Sequence, residues 1–237
     1  MIKTAITKAN VQRAVLKNEP FEAFGLRFYG FRVTDYEEWQ NCKSVWLLRQ
    51  STLPVSYIMM SFVDALFSID KESIVENGKP VGTMYALMQT LVTALRLPEG
   101  SVESRIISVV AHEGEFKGFF IASQDVPQGI FLRKEDFPEI RNIVAWQQGE
   151  EVPDESLNDD LLEEERILSE MNAGKLDCDM NSLMASVALN MHLRIQNVLD
   201  MSILEFETMR KAIDRDKKKE GSAALTHISK FEGIAQK

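Results

Sequence analysis

The chain has 237 residues, of which 45% are hydrophobic and 27% charged. That composition supports one large domain or two small ones around a real core and excludes global disorder. A net charge of −9 argues against nucleic acid or an anionic membrane as the main partner, because both attract basic faces.

Phe21 to Val33 reads as one or two short strands: its aromatic residues favour strands, and Gly25 and Gly30 punctuate it. Thr34, with Glu37 three residues later, reads as a capping box opening a helix. That helix buries Tyr36, Trp39, Val45, Trp46 and Leu48 unevenly, and Leu53-Pro54 stops it. Val55 to Ile69 is apolar on nearly every side and is expected to be a central helix. Pro80 is expected to start a third helix, with Met84, Leu87, Met88, Leu91, Val92 and Leu95 buried, closed by Leu97-Pro98.

The period then changes. Ser104–Val110, Phe116–Ala122 and Gly129–Leu132 read as three strands, turning around Glu113-Gly114 and Val126–Gly129. A helix follows over Asp136–Gln148, with Gly149 just past its end. After an acidic joint at 150–155, helices are expected over Asn158–Asn172 (ended by Gly174), from Asp179 through Val198, and from Ser202, where Glu205 completes a second capping box. The middle one of these carries Leu183, Val187, Met191, Ile195 and Val198 on one stripe. The expected fold is α+β and mainly helical. Residues 1–100 hold short strands and helices, 101–149 a small β-β-β-α unit, 150–220 a C-terminal helical hairpin or three-helix unit, and 221–237 a flexible tail.

Charge is blocked along the chain. Residues 1–32 carry a net +4, residues 150–180 a net −10 and residues 208–220 a net +3. The last block, through Arg215 and Lys217–Lys219, suits a helix C-terminus. Cys42 and Cys178 flank no motif and read as reduced thiols. Met1–Asn10 lacks the apolar stretch of a signal peptide, and no apolar run reaches the roughly 20 residues a membrane helix needs. A cytoplasmic protein is expected.

No chemistry-bearing motif stands out. Asp177-Cys178-Asp179 opens like a calcium loop, but the sixth and twelfth positions are Ser182 and Ala188 instead of Gly and Glu. Asp179 reads instead as a helix cap. His112, His192 and His227 have no neighbours at metal-ligand spacing, and there is no P-loop, dinucleotide fingerprint or nucleophile elbow. No metal, cofactor or catalytic group is expected. Arg49, at the end of the first long helix, suits either capping that helix or a partner's carboxylate. Met180, Met184, Met191, Met201 and Met209 crowd the C-terminal helices. Methionine fills irregular cores and also lines adaptable grooves for helical partners.

Two stretches resemble proteins from the tail-morphogenesis modules of phages of Gram-positive bacteria. One runs from Asp35 to Asp70, above all Leu47-Leu48-Arg49-Gln50-Ser51-Thr52-Leu53-Pro54 and Ala65-Leu66-Phe67-Ser68-Ile69-Asp70. The other runs from Pro153-Asp154-Glu155-Ser156 through Arg194-Ile195, Met201-Ser202-Ile203 and Phe206 to Ala212–Lys217. The resemblance implies a non-enzymatic phage tail assembly protein, either a tail assembly chaperone for the helical tape-measure protein or a structural subunit of the tail, neck or baseplate. It implies a tail protein as partner, a possible homo-oligomer, and a place in the host cytoplasm or the virion tail. A partner-binding groove is expected at Met184, Met191, Ile195, Phe206 and Met209.

Overall fold

Thr7 caps the first helix: its Oγ1 accepts the Asn10 N–H at 3.3 Å at the start of α1 (Lys8–Leu16), an element beyond those expected from the sequence. The computed structural model describes residues 5–77, 82–123, 126–153 and 180–216. After α1 come β1 (Phe21–Ala23) and β2 (Leu26–Phe28), an antiparallel hairpin. The helix expected from a Thr34 cap begins instead behind Asp35. A 3-10 turn (Val33–Asp35) leads into α2 (Tyr36–Trp46), and the Asp35 carboxylate reaches back to the Arg32 N–H at 2.9 Å. The two-carbon reach of Asp suits the tighter 3-10 turn, and neither Thr34 nor Glu37 makes the box.

The expected central helix over Val55–Ile69 is broken. A 3-10 turn (Gln50–Thr52) and a single exposed turn, α3 (Val55–Ile58), precede α4 (Phe62–Asn77). Ser61 makes the break. Its Oγ accepts the Asp64 N–H at 3.3 Å and donates to the Asp64 carboxylate at 2.6 Å, a local cap that overrides apolar continuity. α5 (Gly82–Ala94) buries Met84, Leu87, Met88, Leu91 and Val92 as expected, and Leu95 is buried just past its end. It stops at Arg96, whose φ of 51° is left-handed, with Leu97 N–H on the Val92 carbonyl at 2.9 Å.

β3 (Ile107–His112), β4 (Glu115–Ser123) and β5 (Val126–Arg133) form an antiparallel sheet in that order. The Glu113-Gly114 turn is where it was expected. The second turn is not: Ser123 pairs with Val126, so Val126–Gly129 is strand. A third 3-10 turn, Lys134–Asp136, repeats the Asp35 device, with the Asp136 carboxylate on the Arg133 N–H at 3.2 Å, and starts α6 (Phe137–Gln147). Gly149 follows with φ 78°, and the Glu150 N–H returns to the Ala145 carbonyl at 3.0 Å. Only glycine takes that left-handed position without strain.

One core joins the helices of residues 1–100 to the sheet and α6. Trp39, Trp46, Leu66, Met84, Leu87 and Leu91 meet Ile107, Phe119, Ile121, Leu132, Ile140 and Val144. Phe137 is its hub, with ring centroids 5.7 Å from Trp46, 5.8 Å from Phe119 and 6.4 Å from Phe62. Truncating such a buried ring costs about 3–5 kcal/mol. On the sheet's outer face, Phe120 lies over Gly129 and Phe131 over Gly118.

The C-terminal unit contains α7 (Met180–Asn190), α8 (Ile195–Leu199) and α9 (203–216). Part of the acidic joint is docked onto the body: Glu150 pairs with Lys43, and Glu151 with Lys8. The expected helix over 158–172, Asp177–Asp179, Pro80, Val81, His227, Lys217–Lys219 and the tail from Gly221 lie outside the described residues. The architecture is α+β and mainly helical. No described helix is long and apolar enough to cross a membrane.

Candidate functional site

The Met-rich stripe expected as one helix is folded in two. His192 sits at φ 54°, and the Leu193 N–H turns back to the Ala188 carbonyl at 2.8 Å, ending α7 before Ile195. The Ser202–Glu205 capping box forms as expected. The Ser202 N–H donates to Glu205 Oε2 at 2.9 Å, and the Glu205 N–H to Ser202 Oγ at 3.2 Å, which starts α9.

These helices enclose a small second core of Val187, Ala188, Val198, Phe206 and Ile213, completed by Val33 from the body. The unit is seated by a two-bond bridge: Val33 N–H on the Met201 carbonyl at 2.9 Å, and Ile203 N–H on the Phe31 carbonyl at 2.8 Å. Tyr36 meets Phe206 edge-on, with centroids 6.4 Å apart. Of the five residues expected to line a groove, Phe206 is fully buried. Its part is to hold the unit together. Met184, Met191 and Met209 are half-buried around it, and Ile195 is 47% exposed. Leu189 is 76% exposed on α7. Leu189 falls off the buried stripe, and a leucine out of phase with that stripe is the sequence signal that marks it.

A second apolar surface stands on the body at residues 55–60. Val55 is 82% and Met59 93% exposed, with Ile58 and Met60 also open to solvent. The loop carrying them is fixed. The Gln50 side-chain amide donates to the carbonyls of Tyr57 at 3.2 Å and Ile58 at 3.0 Å and also to that of Met60. Ser68 Oγ contacts the Met60 sulfur at 3.7 Å. The Arg141 guanidinium reaches the end of α2, on the Trp46 and Leu48 carbonyls, and the Arg49 carbonyl accepts from Thr52 Oγ1 at 2.7 Å.

The remaining reactive side chains are dispersed. His112 and Glu113 are exposed at the tip of the β3–β4 hairpin, 3.7 Å apart. His192 is exposed at its helix end. Cys42 is buried, and burial pushes its thiol up, away from the nucleophilic thiolate. Two clefts, of about 220 and 320 Å³, share Gly30, Arg32 and Arg96. Arg96 stacks on Tyr29 there, 4.1 Å from the ring centroid. In the larger cleft, burial raises the Glu38 carboxyl above its ordinary value, although Thr93 Oγ1 donates to it at 2.6 Å. Among the described residues, no three His, Cys, Asp or Glu side chains are grouped to hold a metal ion.

Comparison with the models of known protein families, with curated proteins and with solved structures finds no match.

Proposed function

We propose that this chain is a phage tail assembly protein that acts by protein–protein interaction, as a chaperone for the tape-measure protein in the host cytoplasm. One observation carries the reading. The C-terminal unit leaves Leu189 and Ile195 exposed, and Met184, Met191 and Met209 of the same unit are half-buried. Apolar side chains with that much freedom suit the apolar face of a long helical client, which is recognised through anchors three and four residues apart. The same unit lies within one of the two stretches that resemble tail-morphogenesis proteins. The role is non-enzymatic.

A second reading, a structural subunit of the tail, neck or baseplate, is favoured by the fixed apolar loop at residues 55–60. A rigid projection suits a permanent contact better than a transient one. Quantitative mass spectrometry of purified particles against infected-cell lysate separates the two. Abundance in lysate with absence from particles supports the chaperone; a fixed multi-copy signal in particles makes the chain a virion subunit. Co-purification of tail proteins with Leu189→Asp/Ile195→Asp tests the face itself. Both residues are exposed, so the variant should fold, and undiminished capture of the tape-measure protein would refute the site.

A further inference from the structure

From Gln50 to Val63 the chain carries no charged residue. In the fold this run stands out from the body: apart from half-buried Leu53 and Tyr57, every residue from Ser51 to Ser61 is exposed. Val55, Ile58 and Met59 are spaced three and four residues apart on α3 and its C-cap, so they share one face of a single helical turn. Met59 is 93% exposed at that tip, and Met60 follows it into solvent. The other exposed residues of the run are Ser51, Thr52, Pro54, Ser56 and Ser61, all uncharged and four of them hydroxyl-bearing.

The backbone of the tip is bonded to its own loop. The Tyr57 N–H donates to the Pro54 carbonyl at 2.8 Å and the Met60 N–H to the Tyr57 carbonyl at 3.1 Å. The Gln50 amide serves the carbonyls of Tyr57, Ile58 and Met60. Peptide groups paired in this way leave water without the cost of a broken hydrogen bond. A loop made for a protein pocket takes such bonds from its partner, and a specific protein contact rings its apolar centre with a polar rim that reads charge. This loop brings its own bonds and offers no charge to read. Asp64, the acidic residue that follows it, pairs with Lys134 at 3.3 Å. An apolar medium bounded by an uncharged polar layer matches both properties, as do tyrosine and hydroxyl side chains at the boundary. The net charge of −9 then selects the lipid, because it is repelled by an anionic surface and indifferent to a zwitterionic one.

We infer that the Val55–Met60 projection inserts its apolar tip into the surface of a zwitterionic bilayer, so that the chain rests on lipid without spanning it. This goes beyond both readings of its function, neither of which requires a lipid surface. Val55, Ile58, Met59 and Met60 enter the acyl boundary, and the serine and threonine hydroxyls stay among the headgroups. Few side chains are buried, so attachment is reversible and no tighter than that of a single acyl chain, on the order of 10⁴ M⁻¹.

Co-flotation of the full chain with phosphatidylcholine vesicles tests this, with circular dichroism and melting as folding controls. The wild type should float with the vesicles in proportion to lipid. Val55→Asp/Met59→Asp should weaken binding by roughly tenfold or more, since it places charge in the acyl boundary. If that variant does not fold, Met59→Ser takes its place, with a severalfold loss expected. Leu16→Asp and Leu189→Asp alter exposed apolar residues elsewhere and should bind as the wild type does. Replacing half the lipid with phosphatidylglycerol should weaken binding at low salt, and added salt should restore it. A wild type that never floats overturns the proposal. So does a folded projection variant that binds undiminished, an equal loss in Leu16→Asp, or binding that strengthens with anionic lipid. Loss of tail-protein capture in the projection variant, with no flotation of the wild type, overturns it in favour of a protein pocket as the occupant.

Discussion

Arg141 closes the end of α2 for Trp46: its Nε donates to the Trp46 carbonyl at 2.7 Å. Its Nη2 reaches the Leu48 carbonyl, and the guanidinium lies 3.7 Å from the Phe62 ring centroid. The side chain is buried, so the positive charge is placed where the helix leaves carbonyls unpaired and its dipole is negative. Arg141→Ala strands those carbonyls and should cost about 3 kcal/mol. Arg141→Lys should recover little, because a point charge cannot bond both carbonyls and stack on Phe62 at once. Urea unfolding checks both, and a lysine variant as stable as wild type would show that charge alone suffices.

Asp70, on α4, serves α5 across a gap in sequence. Its Oδ2 accepts from Thr83 Oγ1 at 2.8 Å and from the Met84 N–H at 2.7 Å. It is therefore a remote N-cap, and it is buried. Asp70→Ala should lower stability by about 2 kcal/mol, or roughly 4–8 °C in melting temperature for a chain of this size. Asp70→Asn keeps an acceptor and should lose less. Equal melting of all three proteins would show that the cap contributes nothing.

Gly129 has φ 68°, and a Cβ there would stand 2.2 Å from Phe120 Cζ. Gly129→Ala should destabilise by about 2 kcal/mol or more through combined strain and overlap. Phe120→Leu placed in that background should restore part of the loss, since it removes the overlap but not the strain. A double-mutant cycle reads this directly; simple additivity would show that the ring is not what Gly129 accommodates.

Burial pushes the Glu38 carboxyl up, opposed by the Thr93 hydrogen bond and supported by Asp35. The folded chain therefore holds this proton more tightly than the unfolded chain. The associated stability is complete below the unfolded value of 4.5 and is lost as pH rises through the higher folded value. Glu38→Gln stays neutral at every pH. Its stability relative to wild type should increase between about pH 4 and pH 7. Urea midpoints across that range check the sign, and a falling difference would place a stabilising positive charge beside Glu38.

The sequence legible by itself was the part governed by near neighbours. The Ser202–Glu205 box, the Glu113-Gly114 turn, the Gly149 helix stop and the apolar face of α5 all depend on residues within a few positions. So did the mainly helical α+β character. Ser61 was legible too, since a serine with Asp64 three residues on is a local signal, but the apolar run around it drew the reading toward one long helix. Tertiary structure decided which apolar residues are covered. Val55–Met60 and Leu66–Phe67 are equally apolar in sequence, yet the first projects into solvent and the second is buried. It also decided the long-range bonds of Arg141 to Trp46, Asp70 to Met84 and Gln50 to the 57–60 carbonyls. A hydrogen bond between distant residues leaves no periodicity behind, and burial is a property of what packs on a residue rather than of the residue. For that reason Phe206, Met184, Met191, Met209 and Ile195 could be grouped from the chain, while only the fold placed Phe206 inside the unit and Leu189 and Ile195 on its surface.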